Sequence, residues 1–118
     1  MKTTNSDLTF DVGEADFAEK VLERSRTCPV LVDFWAEWCA PCLVLGPVLE
    51  RVVQAYDGLF LLAKVEVDDN MRLAGHYKLR GFPTVILFRN GEPVARFSGA
   101  QPEYAVREFI ETHIVARR

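Results

Sequence analysis

Apolar and polar positions recur along this chain with two different periods, and the switches between them coincide with Gly, Pro or Asn. Leu8, Phe10 and Val12 are separated by polar residues, the period-two pattern of a short first strand. Over residues 14–25 the apolar positions Phe17, Ala18, Val21 and Leu22 follow helical spacing and define one face. Val30–Trp35 is an apolar run broken only by Asp33, with the length and β-branched content of a buried strand. A longer helical stripe then runs over residues 41–56 through Leu45, Val48, Leu49, Val52, Val53 and Tyr56. Pro47 lies inside that stripe, and a kink is expected there.

Residues 60–67 read as a third strand, apolar at the start and alternating at the end. Asp68 is placed to cap a short helix reaching about Tyr77, and Gly81 marks the turn after it. Residues 84–88 and 94–97 are strands around Asn90-Gly91, a strong hairpin signal, and Gly99 ends the hairpin. The last helix begins near Pro102 and carries Val106, Phe109, Ile110 and Ile114 at helical spacing. The order βαβαβαββα predicts an α/β fold: three strands joined by helical crossovers, an antiparallel hairpin, and helices on both faces. With 118 residues and neither a repeat nor a linker, one domain over residues 1–118 is expected.

The chemistry concentrates after the second strand, at Trp38-Cys39-Ala40-Pro41-Cys42. Pro41 suits the first turn of a helix, where its missing N–H has no partner to lose. Cys39 and Cys42, three apart, then share a helix face and can close a small disulfide ring. Unpaired N–H groups and the partial positive charge of the helix N-terminus favour thiolate over thiol. Cys39, at the outer edge, is expected to attack, and Cys42, one turn in, to resolve the mixed disulfide by displacing Cys39 from it. Asp33 sits mid-strand on the side of Leu31 and Trp35, where burial should raise its pKa; otherwise it is a strand-end acid reaching solvent.

Charge and composition narrow the partners. Fourteen Lys and Arg against 17 Asp and Glu give a net charge of −3, which argues against nucleic acid. No apolar run approaches a membrane span and residues 1–7 lack a secretory h-region, so no membrane and a cytoplasmic location are the expectation. Three cysteines cannot all pair, and in a reducing compartment a close pair reads as catalytic or metal-binding. A structural zinc site would need a second cluster, and only the scattered Cys28, His76 and His113 remain, so no metal is expected. Cys28 reads as a structural thiol, and the two histidines as surface residues.

The stretch Val-Asp-Phe-Trp-Ala-Glu-Trp-Cys-Ala-Pro-Cys, residues 32–42, resembles the active-site region of the thioredoxin family, whose usual motif is Trp-Cys-Gly-Pro-Cys. Trp38, Pro41 and the upstream Asp33 make the match far more specific than a bare cysteine pair, and the order of elements extends it over about residues 8–114. The resemblance implies a thioredoxin fold, a central mixed five-stranded sheet flanked by four helices. It implies a thiol–disulfide oxidoreductase that reduces protein disulfides through a Cys39/Cys42 cycle, with no bound cofactor. An NADPH-dependent thioredoxin reductase would regenerate the dithiol.

By the same resemblance, Asp33 accepts the Cys42 proton through water. Pro83, trans by base rate, would be cis and face the cysteines, leaving the Phe82 backbone free for an extended substrate. Trp38, Gly81-Phe82-Pro83 and Gly99-Ala100 would form the docking surface, while Phe34 and Trp35 read as core. Lys64 matches a family lysine near the buried acid, and reads equally as a solvated strand-end residue. Ala40 replaces the usual glycine, Leu43 a frequent lysine and Phe82 an isoleucine; with Val44 they give an apolar rim suited to polypeptide. A second resemblance, carried by Trp38–Cys42 and Gly99-Ala100-Gln101-Pro102-Glu103, is to the thioredoxin domain of bacterial co-chaperones that continue into tetratricopeptide repeats. It implies binding of unfolded client polypeptides by a redox-capable domain.

Overall fold

The computed structural model describes residues 6–117. Five strands, β1 (Thr9–Asp11), β2 (Val30–Trp35), β3 (Leu61–Glu66), β4 (Thr84–Arg89) and β5 (Glu92–Ser98), form one sheet in the order β1-β3-β2-β4-β5. β1 and β2 run parallel to β3, whereas β4 is antiparallel to both β2 and β5. β2 is therefore central, and Val30 to Phe34 are all essentially inaccessible. A strand covered on both faces has no need to alternate, which is why its sequence is an apolar run. One row of cross-strand neighbours spans the sheet: Asp11, Lys64, Asp33, Val85 and Phe97.

The helices are a π-helix (Ala18–Glu23) and three α-helices, α1 (Ala40–Ala55), α2 (Met71–His76) and α3 (Glu103–His113). Leu45, Leu49, Val52 and Val53 form the buried stripe of α1, and Val106 and Ile110 that of α3. Asn90 and Gly91 both have positive φ, 55° and 81°, as the tight β4–β5 turn requires. This is the mixed five-stranded sheet with four helices that the sequence predicts.

Several details differ from the sequence reading. The first helix is a π-helix followed by a 3₁₀ turn (Arg24–Arg26), and Ala18 is exposed while Ser25 is buried. Its buried positions Phe17, Val21 and Ser25 recur every fourth residue, a spacing that a slightly widened coil accommodates. Leu8 belongs to a 3₁₀ turn (Ser6–Leu8), so β1 is shorter than its alternation suggested. Asp68 does not cap α2: it lies in the 3₁₀ turn Val67–Asp69, whose N–H groups are taken by the Glu66 carboxylate at 3.2 and 3.4 Å. The first turn of α2 is instead served by Glu14, which accepts from the Arg72 N–H at 2.8 Å. The exposed Pro47 lies inside α1, which continues to Ala55, and proline brings no N–H to return to the Leu43 carbonyl.

Ser25 ties the π-helix end to the hairpin. Its hydroxyl donates to the Leu22 carbonyl at 2.7 Å and accepts from the Gly91 N–H at 2.8 Å, while its carbonyl accepts from the Asn90 N–H at 2.9 Å. Ser25→Ala would strand both hydroxyl partners, and should lower unfolding free energy by about 1–2 kcal/mol. Urea denaturation followed by far-UV circular dichroism would read this as a reduced midpoint at unchanged slope.

Candidate active site

The end of β2 and the start of α1 hold the two sulfurs. Cys39 occupies the N-cap of α1 with extended backbone, φ −97° and ψ 100°, and its N–H donates to the Ala36 carbonyl at 3.2 Å. Ala40 and Pro41 follow as the first helical residues, both exposed. Proline is tolerated there because the first-turn N–H groups have no intrahelical acceptor. The Cys39 sulfur takes the place of that missing acceptor, receiving the Cys42 N–H at 3.2 Å. Cys39 and Cys42 are joined as a disulfide with Cα atoms 5.3 Å apart. Once reduced, a Cys39 thiolate would keep that amide and the positive end of α1, both of which lower a thiol pKa. Cys39 and Cys42 are 5% and 2% exposed, so the outer sulfur is only slightly the more accessible of the two in this oxidised form.

Asp33 is 1% exposed, and its Oδ1 has no hydrogen-bond partner among the described residues. Burial pushes its pKa up to about 7, opposed by the Lys64 ammonium and reinforced by the Glu50 carboxylate. Lys64 is its neighbour across the β2–β3 ladder, so the solvated reading of that lysine gives way: its side chain is about one-fifth exposed. The ammonium pairs with Glu50 at 3.4 Å and lies 5.3 Å from the Trp35 ring centroid. A Cβ added at Gly46 would sit 3.7 Å from it. Cys42, Gly46 and Glu50 are four apart along α1 and share a helix face, so Lys64 runs beneath the face that bears Cys42. Phe34 is core as expected, while Trp35 is only partly buried and its Nε1 is unpaired.

Around the sulfurs lies an apolar rim. Trp38 is 66% exposed, and Leu43 and Val44, next to Cys42 along α1, are exposed as well. Trp38 is held by an Nε1–H bond to Asp68 Oδ2 at 2.9 Å and by edge-to-face contact with Phe82, ring centroids 6.0 Å apart. The Phe82–Pro83 peptide bond is cis, as the resemblance implied. The Pro83 carbonyl accepts from the Gly99 N–H at 3.0 Å, and the Gly81 carbonyl from the Thr84 hydroxyl at 2.6 Å. Trp38, the segment Gly81-Phe82-Pro83 and Gly99 are thus physically linked, with Ala100 exposed beside them.

Two residues here are not expected at the site from sequence, in which Asp68 reads as a helix cap and Glu50 is not singled out. Asp68 fixes Trp38 from thirty positions away, and Glu50 reaches Lys64 from one helix turn beyond Gly46. The remaining candidates lie apart from this chemistry. The Cys28 thiol points at the Gly58 and Leu59 carbonyls, 3.8 and 3.9 Å away, and burial raises its pKa. His76 packs edge-on against Tyr77 and His113 against Phe109, centroids 4.7 and 4.6 Å apart. Among the described residues no group of three or more His, Cys, Asp or Glu side chains is arranged to hold a metal ion. No described helix is long and apolar enough to cross a membrane.

Comparison with known proteins agrees with this geometry. The family model described as Thioredoxin matches residues 9–112. A thioredoxin of Chlorobaculum thiosulfatiphilum is 38% identical over 105 residues, covering 89% of this chain and 95% of that protein. Thioredoxin 1 of Nostoc sp. is 37% identical, covering 87% of this chain and 94% of that protein. A probable thioredoxin-2 of Caenorhabditis elegans is 45% identical over 108 residues, covering 91% of this chain and 73% of that protein. With its redox pair at the mouth of α1, this chain belongs to the thioredoxin family of thiol–disulfide oxidoreductases.

Proposed function

We propose that the chain reduces disulfides of other proteins, with Cys39 as nucleophile, Cys42 as resolving thiol and Asp33 as proton acceptor. The observation that carries this reading is the Cys42 N–H aimed at the Cys39 sulfur at the start of α1. The Cys39 thiolate attacks one sulfur of the substrate disulfide and expels the other as a thiolate. Cys42 then gives its proton to the Asp33 carboxylate through water, and its thiolate attacks the Cys39 sulfur. The second substrate thiolate leaves and the Cys39–Cys42 disulfide forms. Two electrons pass from the dithiol to the substrate, and the departing thiolates take up protons.

Trp38, Gly81, Phe82, Pro83, Gly99 and Ala100 form the docking surface in this reading. Support comes from the exposed indole held by Asp68, and from the Phe82 backbone, which enters none of the turn and loop hydrogen bonds of the described residues. An extended substrate segment pairs with that backbone and lays apolar side chains on Leu43 and Val44. An NADPH-dependent thioredoxin reductase returns the disulfide to the dithiol, and the reducing cytoplasm is the compartment that suits this cycle. The matched relatives bear thioredoxin names, and no observation on the site calls for the co-chaperone reading.

Reduction of a model protein disulfide by NADPH, thioredoxin reductase and this protein tests the assignment. The parent should turn over and Cys39→Ser should not, whereas Cys42→Ser should trap a mixed disulfide visible on a non-reducing gel. A parent that is reducible but inactive with the reductase would overturn the assigned partner.

Asp33 gives a second test with a definite sign. Its folded pKa, about 7, lies above the ordinary 3.8, so the protonated form favours the fold and that stability is lost as pH rises from about 4 through 7. Asp33→Asn should therefore match the parent near pH 3.5 and exceed it at pH 8 by at most about 4 kcal/mol, at about 1.4 kcal/mol per pH unit. In single-turnover oxidation of the dithiol, the parent rate should rise through an acid limb near pH 7. The variant should lose that limb and run at least about tenfold slower at pH 8.

A further inference from the structure

We propose that Glu50 is a positioning residue: it holds the Lys64 ammonium away from Asp33, and so sets the pH range over which that buried carboxyl releases its proton. The inference rests on the reading of Asp33 as the Cys42 proton acceptor, but extends it to a surface residue that touches neither sulfur.

Lys64 has more than one acid within its surroundings. In the sheet it lies between Asp33 on β2 and Asp11 on β1, in the same cross-strand row. Glu66 follows two residues on along its own strand face, and a cleft lined by Asp11, Trp35, Lys64, Glu66 and Asp69 opens beside it. α1 contributes Glu50, and β4 contributes only the apolar Val85 to Asp33's row. Among these acids the ion pair is made with Glu50, at 3.4 Å. The ammonium is held from two sides, by the Glu50 carboxylate and the Trp35 ring, and it passes by Gly46, where an added Cβ would make only ordinary contact with it at 3.7 Å. Asp33 accordingly keeps an unpartnered Oδ1 although a cation lies next to it in the ladder.

The two carboxylates compete for one ammonium under unequal conditions. Glu50 is half-exposed and hydrated when charged, whereas Asp33 is buried and gains its charge only at the expense of desolvation. A pair of that kind is worth little to stability, so removing Glu50 should leave the fold intact. It should, however, release Lys64 towards the buried acid and remove a negative charge from above it. Both effects lower the pH at which Asp33 ionises, and the second acts even without the lysine.

The test is the Asp33 titration midpoint, read by carbon-13 NMR of its carboxyl in the oxidised protein, where Cys39 and Cys42 do not titrate. Glu50→Gln should lower that midpoint by about half a pH unit, while Asp11→Asn, a change at an acid without a bond to Lys64, should move it less. In a Lys64→Gln background the midpoint should rise above the parent's, and the Glu50→Gln shift should shrink to its direct part, a non-additivity that marks the lysine as intermediary. An unchanged midpoint in Glu50→Gln overturns the proposal, and so does a shift of equal size with and without Lys64. Should the midpoint fall as expected while the acid limb of dithiol oxidation stays in place, Glu50's control of Asp33 stands and it is the proton-acceptor role of Asp33 that fails.

Discussion

A carboxyl group buried in the central strand is the constraint on which the rest of this molecule turns. β2 can be central only because nearly all its side chains are apolar, and Asp33 is the exception. An isolated ionised carboxylate there would be prohibitively costly, so the protein carries it largely neutral at modest pH and places one cation beside it in the sheet. That arrangement gives up stability at neutral and alkaline pH, and the group it leaves poised near neutrality lies in the strand that delivers the chain to the redox cysteines.

The same strand fixes the sulfurs. Its end leads within a few residues into α1, so the helix begins close to where the sheet stops, and the first-turn amide of Cys42 meets the Cys39 sulfur. The Cys42 amide and the helix end act on Cys39, while Lys64, the ladder neighbour of Asp33, lies under the face that carries Cys42. The two thiols, three residues apart, are thereby placed in unlike electrostatic surroundings. A division of labour between an attacking and a resolving sulfur requires such a difference.

Outside, exposed apolar surface is made specific by a few polar ties. Trp38 would be a mobile hydrophobic residue without the Asp68 hydrogen bond and the Phe82 ring. The Gly81-Phe82-Pro83 segment is anchored in turn by Gly99 and Thr84. Leu43 and Val44, exposed next to Cys42 in the first turns of α1, add to the apolar surface whose indole is held by Asp68.

What the sequence by itself determined were the features that depend on period and on neighbours close along the chain. The apolar run of β2, the stripes of α1 and α3, the Asn90-Gly91 turn and the Cys39–Cys42 pair with Pro41 all have local causes, and they sufficed for the fold and for the redox centre. The tertiary structure alone decided where partners come from afar. Asp68 looked like a helix cap and is instead the anchor of Trp38, because the two meet only when the β3 end folds beside the β2 end. Glu14 serves α2 across fifty-eight positions, and Ser25 locks a hairpin sixty-six positions away. Glu50 reads as one more solvated helix charge until β3 carries Lys64 under α1. Hydrogen bonds and ion pairs of this kind leave no periodic trace, since a single polar residue is compatible with many partners and only the packed chain selects one.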